Sequence, residues 1–502
     1  MSLAVVYTRA CLGIEAPEVT VEVHLSGGLP ALNIVGLPET AVKESKDRVR
    51  SALINAGFDF PVRRITVNLA PADLPKEGGR FDLPIALGIL EASGQLPKNA
   101  LLNSEFLGEL SLTGGLRKVR GVLPAIMAAK RAGRALFLPG SNIHEVLLCK
   151  NSELFAVNSL LEVTAHLLGS KKLETIPYQP FKDKVVQQRD LSEVYGQFKA
   201  RRALEVTAAG GHGMLMFGPP GTGKTLLAEC LPGIQAPLSE SERLEIASVY
   251  SLVTDITPQH LYCRPFRSPH HTASGVAMVG GGSIPKPGEI TLAHQGVLFL
   301  DELPEFDRKV LEVLRQPMEN GKVTISRAAR QITFPSQFQL IAAMNPCPCG
   351  YYGDKIKSCQ CTPLQVQRYQ QKISGPLLDR IDMHVQLSRL PAVEILNKKS
   401  SAEPSEQVKK RVKAAVELQR NRQSVLNAKL KASHFNQYIP LSAEGKKIMN
   451  TATDKLSLSV RVVHRVLRVA RTIADLDATD VVNGSHLSEA LSFKLPDIDV
   501  NS

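Results

Sequence analysis

The stretch Gly213-Met-Leu-Met-Phe-Gly-Pro-Pro-Gly-Thr-Gly-Lys-Thr225 constrains this chain more than any other. Met214 to Phe217 is a short apolar run of the kind that forms a buried strand. Gly218 to Thr225 then satisfies G-x-x-x-x-G-K-[ST] at every fixed position. The residue types have separate physical tasks. Gly221 and Gly223 let backbone N–H groups turn inward around a phosphate where a side chain would obstruct. A helix opening after the loop adds the favourable end of its dipole. Lys224 supplies a compact charge for the β- and γ-phosphates, and the Thr225 hydroxyl is placed to ligate Mg²⁺. The expected nucleotide contacts are therefore Gly218, Pro219, Pro220, Gly221, Thr222, Gly223, Lys224, Thr225 and Leu226. A plain glycine-rich turn is the bland alternative, and the complete motif behind an apolar strand argues against it.

With 502 residues the chain has room for roughly three domains. No apolar run approaches the ~18–20 residues of a membrane span. Met1-Ser-Leu-Ala-Val-Val-Tyr7 lacks the basic start and apolar core of a secretory signal, so a cytoplasmic location is expected, with no membrane partner. The net charge of +12 is concentrated: Asn397 to Arg471 holds 17 Lys and Arg against 5 Asp and Glu. Such a region favours nucleic acid as a partner, with a solvated basic helix face as its competitor. The absence of tryptophan rules out base stacking on indole rings.

Residues 1–170 interleave strand and helix patterns and read as an α/β or α+β domain. Val19–Leu25 and Arg64–Leu69 alternate like half-buried strands, and Ala135–Leu138 is a third strand. Glu39–Ala56, Phe81–Leu90 and Leu123–Ala132 have helical spacing. Gly108-Glu-Leu-Ser-Leu-Thr-Gly-Gly115 and Ala129-Lys-Arg-Ala-Gly133…Leu138-Pro-Gly-Ser-Asn142 resemble the Lon-protease-like domain that also opens magnesium-chelatase-like proteins. Lon-type peptidases need a serine in a D-G-P-S-A-like run and a lysine base. Asp82-Leu-Pro-Ile85-Ala86 has isoleucine at the serine position, and Pro124 stands near the lysine position. Neither side chain is a nucleophile or base. The domain is expected to serve docking or assembly.

Residues 171–189, with their lysines and prolines, read as a linker to a motor. Gly196-Gln197 makes a tight turn ahead of the helix Phe198–Ala208 and is expected to border the adenine base. Gly296-Val-Leu-Phe-Leu-Asp301-Glu302 is an apolar strand ending in two carboxylates. Asp301 would hold Mg²⁺ through water while Glu302 orients or deprotonates the attacking water. Ile341-Ala-Ala-Met-Asn345 ends another buried strand in an amide suited to the γ-phosphate or that water. In Gly375-Pro-Leu-Leu-Asp-Arg380-Ile-Asp382 an arginine follows a short helix, the residue type suited to transition-state charge. A structural Arg–Asp pair within that segment is the competing reading. Arg461, opening the helix Ser459–Ile473, would reach phosphate from the lid.

This set resembles the AAA+ ATPases. Arg264-Pro-Phe-Arg-Ser-Pro-His-His271, Leu378-Asp-Arg-Ile-Asp382 and Arg465-Val-Leu-Arg-Val-Ala-Arg-Thr-Ile-Ala-Asp475 resemble the ComM/YifB family of its magnesium-chelatase branch, over essentially the whole chain. The resemblance implies a Lon-like domain over 1–170, an AAA+ P-loop core with a parallel sheet over 190–395, and a basic helical lid over 396–502. It also implies a hexameric ATPase that binds single-stranded and branched DNA and drives branch migration and unwinding of recombination intermediates during natural transformation, alongside recombination machinery. Arg380 would then act in trans on a neighbour's ATP. The alternative function is a chelatase-type motor that remodels a protein partner.

Two inserts mark the core. Thr272–Glu289 is rich in glycine and proline, and Gly321–Phe334 reads as a β-hairpin. In ring motors of this clade both loops face the pore, so Lys286, Lys322, Arg327 and Arg330 would grip a DNA backbone. Ordinary exposed hairpin charges are the competing reading. Finally, Cys347, Cys349, Cys359 and Cys361 form C-x-C-x9-C-x-C, which favours structural Zn²⁺ over reduced thiols or disulfides. That cluster is expected to brace the connection between Asn345 and Arg380.

Overall fold

A computed structural model describes residues 2–150, 152–178, 188–282, 285–327, 330–354, 356–389 and 403–494. Residues 179–187 of the expected linker and the expected core–lid boundary at 395–396 lie outside the described residues. The chain divides into two compact units, Met1–Lys184 with Leu244–Leu261, and Val185–Arg243 with Tyr262–Ser502.

The first unit is built on a seven-stranded mixed sheet. Its strands are β1 (Ser2–Arg9), β2 (Glu18–Ser26), β3 (Ala31–Val35), β4 (Arg64–Ala70), β5 (Ser104–Phe106), β6 (Ala135–Pro139) and β7 (Leu154–Val157), in the order β3-β4-β2-β1-β5-β6-β7. Alternation along β2 buries Val19, Val21, Val23 and Leu25. They face the helix Asp82–Ala92, which is buried on nearly every side. Gly88 lets that helix approach, since a Cβ there would lie 2.6 Å from Val23. Ile85 and Pro124, at the positions compared with the Lon dyad, are both buried, inside the helices Asp82–Ala92 and Val122–Ala132. The helix expected over Glu39–Ala56 divides into Thr40–Lys43 and Ser45–Asn55. The cause is local: the Ser45 hydroxyl donates to the Val42 carbonyl at 2.6 Å and competes with the helical ladder.

Residues 244–261, which fall inside the expected motor, cluster with this first unit. Ala247 is fully buried among Leu123, Ile126 and Val146. The Gly121 N–H donates to the Ser251 carbonyl at 3.1 Å, and Lys118 pairs with Asp255 at 2.6 Å.

In the second unit the strands β8 (Met214–Phe217), β9 (Phe266–Arg267), β10 (Val297–Leu300), β11 (Gln339–Met344) and β12 (Met383–Gln386) form a parallel sheet in the order β9-β10-β11-β8-β12. Every residue of β10 and β11 is buried, as both faces are covered. Because the strands are parallel, the tips of β8, β10 and β11 open on the same edge. That places the phosphate-binding loop, the acids and Asn345 together. A helical region follows, with α1 (Ser405–Gln423), α2 (Ala443–Lys455), α3 (Val460–Leu476) and α4 (Gly484–Ser492). It packs into one apolar core with the sheet. Arg471 and Arg422 both bind Asp475 inside it, at 2.9 and 2.6 Å.

Candidate active site

The loop after β8 opens the helix Lys224–Ile234, with Gly221 and Gly223 at φ 76° and 86°. Both glycines hold left-handed conformations that residues with a Cβ adopt at a cost. The Lys224 ammonium is buried and donates to the carbonyls of Gly218 (2.6 Å) and Pro219 (2.9 Å) and to Asn345 Oδ1 (2.9 Å). All three acceptors are neutral. Burial pulls the Lys224 ammonium down to about 8, while the Asp301 and Glu302 carboxylates work against that fall. Thr225 Oγ1 donates to Asp301 Oδ2 at 2.8 Å, so a hydroxyl and a carboxylate already share one point. That donor set suits Mg²⁺ held by a hydroxyl and, through water, a carboxylate.

Glu302 follows Asp301 with φ 52°, a strained setting that turns its carboxylate out of the strand line. Its Oε2 lies 3.5 Å from His271 Nδ1. Gln197 sits at φ 48° and donates to the Ser388 carbonyl at 2.7 Å and toward the Thr222 carbonyl at 3.4 Å. The Gly196-Gln197 turn therefore flanks the loop. The structure thus brings together Gly196, Gln197, the loop, Thr225, Asp301, Glu302 and Asn345.

Comparison with known proteins agrees with this geometry. Residues 190–395 match the family described as magnesium chelatase, subunit ChlI. Residues 21–142 match subunit ChlI of Mg-chelatase, and 402–494 match the ChlI C-terminal family. The YifB protein of Salmonella typhimurium is 50% identical over 498 residues, covering 99% of this chain and 98% of its own length. Competence protein ComM of Haemophilus influenzae is 48% identical over 505 residues, with 98% of each chain covered. The chain belongs to the ComM/YifB family. Lon protease 2 of Bacillus subtilis is 26% identical over 177 residues, 32% of this chain and 32% of its own, in keeping with a Lon-like part.

Around this ComM/YifB core, Arg380 is only 18% exposed and binds Glu319 and the Pro376 carbonyl. The neighbouring acids are engaged elsewhere: Asp382 meets His212 at 3.1 Å and Asp379 meets Arg465 at 3.8 Å. The pairing within the Leu378–Asp382 segment considered from sequence is therefore not what holds Arg380. Arg465, on α3, donates to the carbonyls of Leu378 (3.1 Å) and Ile381 (2.6 Å), so the lid helix grips the turn that carries Arg380. Arg461 stands exposed one turn earlier on the same helix.

The basic excess divides between paired and exposed side chains. Arg411, Arg422, Arg468 and Arg471 are spent on Glu205 and Glu403, on Asp475, on the Leu430 carbonyl and again on Asp475. Lys446, Lys447 and Lys455 remain exposed. Lys286 and Lys322 are exposed too, on the strand pair Gly280–Gly281/Lys286–Pro287 and the hairpin Lys322–Arg327/Arg330–Pro335. The side chains of Arg327 and Arg330 lie outside the described residues.

The four cysteines converge, with Sγ atoms within 4.8 Å of one another. Cys347 lies 3.3 Å from Cys349 and 3.6 Å from Cys359, and Cys349 lies 3.6 Å from Cys359. Tetrahedral thiolates at ~2.3 Å from zinc would stand about 3.8 Å apart, so the set fits that ion. The N–H groups of Tyr352 and Cys361 donate to Cys347 and Cys359 sulfur. Sequence reading missed one link: a Cβ on Gly350 (φ 85°) would lie 2.8 Å from Pro220, so the cysteine loop touches the phosphate loop. It also missed His271 beside Glu302, although paired histidines ahead of a glycine-rich insert were a usable signal.

Proposed function

We propose that the chain is a ring-forming ATPase that moves branched DNA. The single observation that carries the ATPase part is the buried Lys224, which holds only neutral acceptors beside the Thr225–Asp301 pair. A buried ammonium bonded only to neutral acceptors is a site for an anion, and the family supplies the anion as ATP with Mg²⁺. In this reading the loop N–H groups and Lys224 bind the phosphates. Thr225 and Asp301 would hold the metal, which would supply positive charge beside the transferring phosphoryl group. Glu302 takes the water proton, and Asn345 leaves Lys224 to orient the water. Gly196 and Gln197 border the base. Arg380 exchanges Glu319 for a neighbouring subunit's phosphate, and Arg461 approaches from the lid.

Support for DNA comes from the exposed Lys286, Lys322 and C-terminal lysines, and from the competence relative. Junction movement during natural transformation then follows from ATP-driven cycling of the two inserts against a strand. Zn²⁺ held by Cys347, Cys349, Cys359 and Cys361 would stiffen the loop that touches Pro220. A second reading, a motor that remodels a protein, is favoured by the chelatase matches and by Leu29 and Val62, which are 88% and 81% exposed.

A labelled three- or four-stranded junction with ATP separates the two readings. Wild type is expected to resolve it, and Glu302→Gln to bind ATP and the junction while turnover falls about 100-fold or more. An intact junction, with ATPase stimulated by protein and indifferent to DNA, would replace the first reading with the second.

A further inference from the structure

Between β11 and the helix Pro363–Gln370 the described residues hold neither helix nor strand, yet they touch the candidate site at two places. The first contact is at the phosphate end. Gly350 runs so close to the loop after β8 that a Cβ there would lie 2.8 Å from Pro220 and 3.9 Å from Asn345 Cγ. The second is at the end where the base is expected. The Asp354 side chain is only 3% exposed, and among the described residues its Oδ2 meets only Arg389 Nε, at 3.2 Å. Its Oδ1 accepts the Ile356 N–H at 3.0 Å. The Arg389 guanidinium also lies 5.1 Å from the centre of the Tyr351 ring.

Arg389 stands where the chain leaves the sheet after β12. The Leu387 N–H donates to the Phe217 carbonyl at 2.8 Å, and a Cβ on Gly218 would overlap the Leu387 carbonyl. The Ser388 carbonyl accepts Gln197 Nε2 at 2.7 Å. Leu387 and Ser388 therefore lie against the start of the phosphate loop and the Gly196-Gln197 turn, with Arg389 next in the chain. A loop that leans on Pro220 and holds Arg389 clasps both ends of the pocket. Its own shape depends on its sulfurs. Among the described residues its backbone closes only two short turns, Gly350 N–H to the Cys347 carbonyl and Asp354 N–H to the Tyr351 carbonyl. Cys347, Cys349 and Cys359 stand 3.3 to 3.6 Å apart and as thiolates would repel one another without a cation between them. In a loop with so little structure of its own, the free energy of metal binding is the free energy of ordering.

We infer that zinc in the cysteine cluster and ATP in the pocket bind with positive linkage, and that Asp354 and Arg389 are the positioning residues that carry it. With the four sulfurs drawn together, Asp354 holds Arg389 and so keeps the segment Leu387–Arg389 in the shape that takes the nucleotide. With the sulfurs released, Asp354 loses its place and the segment is free to shift. That step rests on the readings of the loop after β8 as an ATP site and of the four cysteines as zinc ligands. Linkage is reciprocal, so nucleotide must tighten the hold on zinc by the factor that zinc tightens the hold on nucleotide.

The test uses the full chain under reductant, either loaded with zinc or stripped by a chelator that is then dialysed away. Two affinities are read: that of a fluorescent, non-hydrolysable ATP analogue with Mg²⁺, and that of zinc by competition with a chromogenic chelator, with and without the saturating analogue. In wild type, stripping is expected to weaken the analogue about fivefold, and the analogue to strengthen zinc by the same factor. Asp354→Asn and Arg389→Gln are expected to keep zinc, to bind the analogue about as weakly as stripped wild type, and to show linkage below about twofold. A change that merely loosened the fold would lower both affinities and leave the factor between them in place. Wild type that binds zinc and the analogue, each with the same affinity whether or not the other is present, overturns the inference and leaves both readings standing. Linkage of wild-type size in Asp354→Asn and Arg389→Gln overturns the role given to these two residues. Zinc-loaded protein without affinity for the analogue sinks the ATP reading, and protein that takes up no zinc sinks the metal reading; the linkage falls with either.

Discussion

Of the ionisable groups that each unit buries, Asp82 in the first and Lys224 in the second are treated in opposite ways. Asp82, fully buried, receives Arg48 Nε at 2.8 Å and Nη2 at 3.1 Å, plus the Leu110 N–H at 3.2 Å. Lys224, almost as deeply buried, donates to two carbonyls and an amide oxygen, with no carboxylate within bonding distance among the described residues. A buried charge supplied with its counter-ion is a closed structural account, whereas one left with neutral acceptors is incomplete until an anion arrives. The same α/β construction thus yields a scaffold in one unit and a ligand site in the other.

The comparison breaks most visibly at Lys224. Replacing it with Ala should weaken ATP binding by about 100-fold or more, because a charge-assisted contact to phosphate is lost from a desolvated site. Unfolding in urea without nucleotide should be no easier than in wild type, since the residue removed is a buried charge bonded only to neutral acceptors. A large loss of stability in Lys224→Ala, or unchanged ATP affinity by calorimetry, would erase the contrast.

Asp82 gives the next effect. Its two partners pull apart: Arg48 is held above its usual range by the Asp82 bond, while burial pushes the Asp82 carboxyl up to about 6. Burial decides, because Asp82 is wholly buried and Arg48 is 21% exposed. A carboxyl raised from 3.8 in the unfolded chain to about 6 in the folded one costs nothing below pH 3.8, and stability is lost as pH rises through 6. That difference corresponds to roughly 3 kcal/mol. Asp82→Asn should flatten this component when urea midpoints are compared between pH 4 and 7.

Lys224 predicts a smaller effect of pH on binding. With its ammonium at about 8 in the free protein, ATP must recharge it at higher pH. Apparent affinity should fall about fivefold from pH 8 to 9, with proton uptake visible in buffers of different ionisation enthalpy. Smallest is Gly350→Ala, which adds a Cβ 2.8 Å from Pro220 at φ 85°. About 1 kcal/mol of strain passed to the loop would raise KM for ATP several-fold and leave DNA affinity unchanged.

What was legible in sequence was whatever depends on neighbours along the chain. The loop around Lys224, the strand ending in Asp301 and the hairpin over 322–335 each carry their own turn chemistry and periodicity. What was hidden depends on residues brought together from afar. Nothing near Arg380 in sequence names Glu319 as its partner, and nothing near Cys347 announces the contact of Gly350 with Pro220. Composition overstated the basic lid for the same reason. Arg471 and Arg422 count as surface charge in a sum, yet both are spent on one buried aspartate.

The loan of residues 244–261 to the first unit has a consequence for synthesis. A nascent chain carrying only the first 184 residues still lacks Ala247, which fills the space beside Leu123 and Ile126. The amino-terminal part therefore has to wait, with that apolar surface uncovered, until the ribosome has also made the phosphate loop and the helix after it. Order of translation and order of completion differ here, and the stretch of exposed time between them is when a chaperone would be needed most.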